Sequence, residues 1–479
     1  MATSEYQVSG VERDPGSFRD RDSRVLVGSD AVYRLLSERG AEDWNRLASS
    51  RLFEAFIADG TLVSTEEASN GIADPEASRA LGQPVRAVLR HERVPFVSYP
   101  YEWTFGMLRE AALLQLDLLL AALEEDFSLK DATPYNVQWR GSKPVFIDIG
   151  SFEPLREGEP WAGYRQFCML FLYPLMLQAY RGIAFQPIAR GSIDGIAPTD
   201  AARILRGRDR FRRGVLSHVH LHARMERRYG ERDGAEVKRD LRRANFKAEL
   251  IKTNVTRLRR LVARLNWRAG DTAWTGYREA NTYTDADTDR KAAFVRAAVA
   301  ERRPALVWDM GCNDGAYAKA AVESGAGYVV AFDLDHATVE VLYRALREAG
   351  NTQILPLVLD LADPSPGLGW RGMERRPIEG RGRPDLALAL ALIHHLSITA
   401  NVPLAEILDW LRSLDRAVVL EFPTREDPMV QRLLSGKGQG SNSDYELETF
   451  ERLLGERFSI RRREPLPSGT RILYHLHPA

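Results

Sequence analysis

Seven residues, Asp309-Met-Gly-Cys-Asn-Asp-Gly315, constrain this chain more than any other stretch. They follow the apolar run Ala305-Leu-Val-Trp308 and precede Ala316-Tyr-Ala-Lys-Ala-Ala-Val322, a run of helix-forming residues. A strand, a glycine turn and a helix in that order make the crossover on which α/β sheets cradle nucleotides. Gly311 and Gly315 let the turn bend tightly and let a ligand approach backbone N–H groups. Asp309 ends the strand where a dehydrogenase would usually show glycine. A carboxylate there conflicts with a pyrophosphate and suits a cofactor carrying an ammonium and a sulfonium. The glycine pair is G-x-x-x-G, so the dinucleotide pattern G-x-G-x-x-G is absent.

From about residue 291 the chain alternates strand and helix. The apolar runs 305–309, 328–333, 353–359, 385–393 and 416–422 predict five strands of a parallel sheet covered on both faces. Helices are expected at 336–348 and 404–414. A helix over Tyr445–Phe458 then leads to Ser459–Arg463, a turn at Pro465-Leu-Pro-Ser-Gly469 and a last strand, Arg471–His477. Asp333 ends the second strand 22 residues after Gly311, close to the roughly 20 expected for an acid that binds ribose hydroxyls. Asp335 is a close second choice. Asp360, in Leu359-Asp-Leu361-Ala, ends the third strand where a side chain can meet an adenine amino group. These aspartates equally suit helix caps after strands.

Residues 291–479 resemble class I S-adenosylmethionine-dependent methyltransferases. Asp309, Gly311 and Gly315 match the first motif of that family, Asp333 its ribose acid and Asp360 its adenine-side acid, with Leu361 beside it. The closing hairpin matches its reversed last strand. The resemblance implies a seven-stranded Rossmann-like α/β sheet and S-adenosyl-L-methionine as cofactor. Asn313 and Asp314, in the glycine turn, would touch the cofactor's amino-acid end. The fourth strand ends in His394-His395-Leu396, and in this fold that tip faces the methyl group. DNA and RNA amino-methyltransferases carry Asn/Asp-Pro-Pro-Tyr there; this chain lacks it. A histidine there suits deprotonation of a hydroxyl, since its pKa lies near neutrality; it equally suits capping of the next turn. Glu421, at the tip of strand five, is a further active-site candidate or a solvated strand end. Trp274, Tyr277 and Tyr283 offer an aromatic lid or a domain contact.

The first half has its own pattern. The amphipathic stretch Asp43–Ala58, a strand at Val85–Arg90 and a long apolar helix, Phe105–Glu124, precede Lys130-Asp131-Ala-Thr-Pro-Tyr-Asn136. Strands at Asn136–Trp139 and Pro144–Asp148, joined by Arg140-Gly-Ser-Lys143, make a hairpin signal. Ile147-Asp148-Ile-Gly150 follows. This pattern resembles the catalytic loop of kinase-like phosphotransferases, which implies Asp131 as base and Asn136 and Asp148 as Mg²⁺ ligands. No glycine loop is visible and no lysine precedes Lys130; Arg86 or Arg90 would have to substitute. The alternative is a degenerate kinase-like or unrelated α+β domain that binds substrate or partner. The whole chain also resembles bacterial two-part methyltransferases that include a rhizobial nodulation host-specificity protein, through Lys130–Asn136, Ile393-His-His-Leu396 and Glu421–Pro428.

At 479 residues the chain is too long for one ordinary domain. The expected division is an extension or small lobe (1–80), a recognition or kinase-like domain (81–265), an aromatic junction (266–290) and the methyltransferase domain (291–479). Net charge is zero, yet residues 203–268 hold 21 Lys/Arg against 7 Asp/Glu. That excess suits solvated bracing helices or a surface for polyanions, nucleic acid included. Two cysteines exclude a disulfide framework and fit a reducing cytoplasm. The apolar stretches Ala111–Leu123 and Phe167–Leu177 are shorter than the ~20 residues a spanning helix needs, so no membrane partner is expected. No leader segment is visible. The expected enzyme methylates a small-molecule or sugar-like acceptor, at oxygen; the alternatives are a bifunctional protein with a kinase-like phosphotransferase or pseudokinase binding module in its first half, and a nucleic-acid methyltransferase.

Overall fold

The computed structural model describes residues 11–68, 75–230, 247–268, 283–437 and 442–479. The chain opens with a five-stranded antiparallel sheet. Its strands are β1 (Val11–Arg13), β2 (Ser23–Gly28), β3 (Ala31–Leu36), β4 (Thr65–Glu67) and β5 (Ala87–Glu92), in the order β1-β2-β3-β5-β4. The amphipathic stretch between β3 and β4 is two helices, Glu38–Ala48 and Arg51–Ala58. Ser37 and Ser50 accept N–H groups of the two first turns at 3.1 Å each, so each helix carries its own cap and the pattern breaks between them.

The long helix, Phe105–Ala122, starts at Thr104, whose hydroxyl accepts the Met107 N–H at 3.2 Å. It is apolar on nearly every side, as a helix buried between layers must be. The antiparallel pair β6 (Phe127–Leu129) and β9 (Phe152–Pro154) brackets a hairpin of β7 (Val137–Arg140) and β8 (Lys143–Phe146). Residues 164–181 form one helix with a π turn over Cys168–Leu172. Among the described residues no helix is long and apolar enough to cross a membrane.

The second sheet has seven strands: β10 (Leu306–Met310), β11 (Tyr328–Asp333), β12 (Ile354–Val358), β13 (Leu386–Ala389), β14 (Ala417–Pro423), β15 (Phe458–Pro465) and β16 (Arg471–Pro478). Their order is β12-β11-β10-β13-β14-β16-β15. The first five are parallel; β16 runs antiparallel between β14 and β15. Strand four is shorter than its apolar run suggests. It stops at Ala389, because Ala391 turns into the left-handed region at φ 51°. A run of small and aliphatic residues carries no mark of where pairing ends.

One face of this sheet is covered by the helices Asp285–Arg302, Ala316–Glu323 and His336–Glu348, through Phe294, Val295, Ala321 and Leu346. The other face lacks a helix between β12 and β13, where the chain makes only 3₁₀ turns at Trp370–Gly372 and Ile378–Gly380. The first half fills that place. Phe96 packs edge-on against Trp308 of β10, at 6.3 Å between ring centroids, and Trp308 against Phe332 of β11 at 5.4 Å. The Pro100–Glu102 turn and β7 lie along β12. Trp103, Phe105, Trp308, Phe332 and Leu355 thereby belong to one hydrophobic core that crosses the two halves. Burying each such side chain is worth about 1.5–3 kcal/mol.

Polar groups fix the register of this junction. Glu102 and Arg381 form a two-pronged ion pair at 2.6 and 2.7 Å, both side chains at most 2% exposed. Ser365 donates to Glu102 at 2.6 Å, and the Arg381 guanidinium lies 4.9 Å from the Tyr99 ring centre. Glu340 accepts the Gly106 N–H at 2.8 Å, placing a carboxylate at the positive end of the long first-half helix. At the β7–β8 tip, the Gly141 N–H reaches the Tyr328 hydroxyl at 2.9 Å. A Cβ at Gly141 would stand 2.4 Å from the Thr352 backbone, so only glycine allows this approach.

Arg381→Ala should leave Glu102 buried without its counter-charge and cost about 3–5 kcal/mol. Arg190→Ala, which breaks the exposed pair with Asp363 across the same junction, should cost under ~1 kcal/mol. Urea midpoints of the two variants check this; equal midpoints would remove the buried pair from its anchoring role.

Candidate active site

The glycine turn sits at the carboxyl end of β10. Gly311, Asn313 and Gly315 take φ of 78°, 48° and 74°. A Cβ at Gly315 would also lie 2.7 Å from Leu342, so that glycine meets both a backbone and a packing demand. Asp333 accepts the Asn313 N–H and the Asp335 N–H at 2.9 Å each, tying the tips of β10 and β11 together. Asp335 caps the next helix through the Ala337 N–H at 2.9 Å. Asp314 accepts the Ala316 N–H at 3.3 Å, and Asp360 the Ala362 N–H at 2.8 Å. Leu361 packs on the shared core. The structure thus gathers Asp309, Gly311, Asn313, Asp314, Gly315, Asp333 and Asp335 around one turn, with Asp360 and Leu361 just beyond the neighbouring strand.

Asp309 is 1% exposed, and its Oδ2 has no hydrogen-bond partner. Burial pushes its carboxyl up to about 7, against the pull of Lys291. Beside it lies a buried cluster that the sequence pattern did not reveal. Lys291 contacts Glu421 at 2.6 Å and donates to the Tyr283 hydroxyl at 3.0 Å. Tyr283 donates to Glu421 at 2.7 Å, and Arg471 reaches Glu421 at 3.1 Å and Asp427 at 2.6 Å. The Lys291 ammonium stands 4.6 and 4.7 Å from the ring centres of Tyr283 and Tyr317. Burial alone would raise the Glu421 carboxyl, but Lys291 and then Arg471 hold it below the ordinary carboxylate range. Glu421 also accepts the Ala391 N–H at 3.0 Å, which holds the left-handed turn after β13. It is wholly buried and charge-paired, so the alternative of a solvated strand end is corrected.

His394 and His395 follow that turn, with ring centres 4.1 Å apart. His394 is completely buried and neither ring nitrogen has a hydrogen-bond partner. Burial, then His395, Arg471 and Lys291, push its pKa well below the usual histidine value. Burial and Arg471 bring His395 to about 4. Both rings are therefore neutral near pH 7. Tyr283 belongs to the cluster; Trp274 and Tyr277 lie outside the described residues. One signal could have exposed Lys291: it stands on the apolar stripe of its helix with Phe294, Val295 and Ala298, where a lysine needs a buried partner.

In the first half, Arg86 and Arg90 do not replace the missing lysine. Arg86 pairs with Glu38 and Arg90 with Asp30 and Glu66, all on the surface. Arg34 of β3 points inward instead and meets Asp148 at 3.0 Å. Asn136 keeps a buried Nδ2 without a partner. Among the described residues no group of three or more His, Cys, Asp or Glu side chains is placed to hold a metal.

Six parallel strands, a reversed strand inserted between the last two of them and a glycine turn at the first strand's tip define a class I S-adenosylmethionine-dependent methyltransferase fold for the second half. No model of a known protein family matches the chain. Over 464 residues, covering 96% of this chain and 95% of the relative, it is 33% identical to the nodulation protein NoeA of Rhizobium meliloti, and it belongs to that protein's family. Among solved structures it is similar to magnesium protoporphyrin IX methyltransferase of Synechocystis PCC 6803 with bound S-adenosylhomocysteine, at 20% identity and a TM-score of 0.30, covering 47% of this chain and 95% of that one. The N-methyltransferase NodS of Bradyrhizobium japonicum, also with S-adenosylhomocysteine, matches at 12% identity and a TM-score of 0.31, over 43% of this chain and 99% of its own.

Lys291→Met should leave Glu421 short of a counter-charge in a buried site and cost about 3 kcal/mol. Tyr283→Phe removes two hydrogen bonds to charged groups but leaves the Lys291–Glu421 pair in place, and should cost about 2 kcal/mol. Urea unfolding should rank wild type above Tyr283→Phe and that above Lys291→Met; the reverse order would overturn the assigned pairing.

Proposed function

We propose that this chain transfers a methyl group from S-adenosyl-L-methionine to a small-molecule or sugar-like acceptor, at an oxygen atom. The observation that carries this reading is Asp309: a buried carboxylate with one unpartnered oxygen, beside the glycine turn. Such an oxygen suits a cationic ligand and repels a pyrophosphate. Asp333 keeps lone pairs for ribose hydroxyls, with Asp335 behind it, and Asp360 and Leu361 flank the adenine position. Asn313 and Asp314 border the amino-acid end. When bound, the donor supplies an electrophilic methyl group.

The chain's own residues prepare the acceptor. Glu421, held by Lys291, Arg471 and Tyr283, fixes the Ala391 turn. That turn sets the direction of His394 and His395. A neutral imidazole there can accept a hydrogen bond from an acceptor hydroxyl and orient it; His394 suits this best, because both of its nitrogens lack partners, while its lowered pKa makes it a positioning group rather than a strong base. Two free, buried cysteines are in keeping with a cytoplasmic setting. The NoeA relative's name states a process, nodulation, and no acceptor.

A second reading is favoured by one observation in the first half. Arg34 on β3 meets Asp148, which follows the β7–β8 hairpin, at 3.0 Å; in a kinase-like cleft a cation on that strand and a metal-binding acid both face the nucleotide phosphates. With Arg34 lying on Asp148, nucleotide or partner binding is better supported than phosphotransfer. A thermal shift with Mg²⁺–ATP that disappears in Asp148→Asn is the expected result; no shift in the parent chain removes this reading.

Calorimetry with S-adenosylhomocysteine tests the donor site. Asp333→Ala should weaken binding at least about 10-fold; unchanged affinity would sink the assignment. An acid titrating near 7 favours a cationic ligand only when ionised. Affinity for S-adenosylmethionine should therefore rise about 10-fold from pH 6 to pH 8 and become flat in Asp309→Asn. The unliganded chain has the opposite sign. The raised carboxyl stabilises the fold fully below its unfolded value and loses that contribution as pH rises through about 7.

A further inference from the structure

The basic first-half region carries apolar side chains that face solvent. After the 3₁₀ turn Gly207–Phe211, a π turn over Val215–Leu221 runs into the helix His222–Gly230. Val215, Val219 and Ala223 point inward and are at most 1% exposed. Leu216, Leu221 and Met225 stand outside at 65, 52 and 46% exposed, spaced as one stripe of a π-to-α segment. Phe211, just before it, is 91% exposed. A helix apolar on two sides has a second surface to cover.

The charges around this stripe are mostly basic; Glu226, beside Met225, is paired with Arg165 at 2.6 Å. Arg206, Arg208, Arg210 and Arg213 are exposed and have no ion-pair partner among the described residues. Asp209, among these arginines, is buried and bound by Arg181 and Arg212 at 3.0 Å each. Phe211 thus stands in the chain among arginines, of which Arg208, Arg210 and Arg213 have no ion-pair partner among the described residues.

Two polyanions could satisfy the arginines. Nucleic acid would pair them with phosphates and could stack a base on Phe211, but it would leave the aliphatic Leu216, Leu221 and Met225 uncovered. An anionic lipid surface takes both components, arginines at the headgroups and apolar side chains at the acyl boundary. We propose that residues 206–228 dock this protein onto an anionic lipid surface, with Phe211 as the inserting side chain. The absence of a spanning stretch, on which the expectation of no membrane partner rested, concerns crossing a bilayer; lying on one is a different physical demand.

Cosedimentation of the full chain with phosphatidylcholine vesicles, with and without phosphatidylglycerol, tests this. The chain should pellet with the phosphatidylglycerol vesicles and remain largely free with the neutral ones. Arg210→Gln and Arg213→Gln should each lower binding about 5-fold, and Phe211→Ser about 10-fold or more. Phe211 is nearly fully exposed, so Phe211→Ser should keep the parent's melting temperature. The proposal is overturned by absence of vesicle binding, by binding that ignores Phe211→Ser, by RNA binding without vesicle binding, or by a dimer that Phe211→Ser disperses while vesicles stay unbound.

Discussion

The exposed middle of a sheet face governs this molecule. A parallel sheet needs both faces covered, and its strands are apolar throughout for that reason. Here the crossover from β12 to β13 carries no helix, so Trp308, Phe332 and Leu355 would face water. The first half covers them with Phe96, Trp103 and the start of its longest helix. The buried Glu102–Arg381 pair then fixes how that cover sits. Ion pairs of this kind add little net stability, yet they punish any register that leaves one partner alone. The hydrophobic contact supplies the energy and the pair supplies the alignment.

A second buried charge system lies at the carboxyl ends of the same strands. Lys291, Glu421, Arg471 and Asp427 balance one another away from water, while Asp309 beside them keeps an unpartnered oxygen. Interior charges persist where neighbours compensate them, and the group left incompletely compensated is where a ligand gains most. The same cluster reaches the acceptor side through one backbone N–H. Ala391 is held left-handed by Glu421, and the histidines follow from it.

Much of the second half was legible because local rules and tertiary demands agree there. Asp309–Gly315 specified a turn, five apolar runs specified parallel strands, and the Pro-rich turn before Arg471 announced the hairpin. Legibility failed where a residue's role depends on partners distant in sequence. Lys291 and Glu421 meet only when a helix and a strand pack together. Arg34 has no local mark in the sequence; its role depends on Asp148, more than a hundred residues away. The missing crossover helix was equally hidden, since an irregular stretch such as 359–385 does not say what will cover the sheet beneath it. The end of β13 escaped for a smaller reason: Ala391 carries no sequence sign of a positive φ.

The Glu340 carboxylate at the start of the Phe105–Ala122 helix has a consequence for synthesis of the chain. That helix leaves the ribosome more than two hundred residues before the acid that completes its first turn. During this interval Phe96, Trp103 and Phe105 lack the strands that will bury them. The growing polypeptide therefore carries an unfinished apolar surface through most of its own translation, the condition under which nascent chains aggregate or engage chaperones. Slow passage through residues 306–357 would lengthen that exposure, so production of intact protein should be sensitive to how fast this one stretch is made.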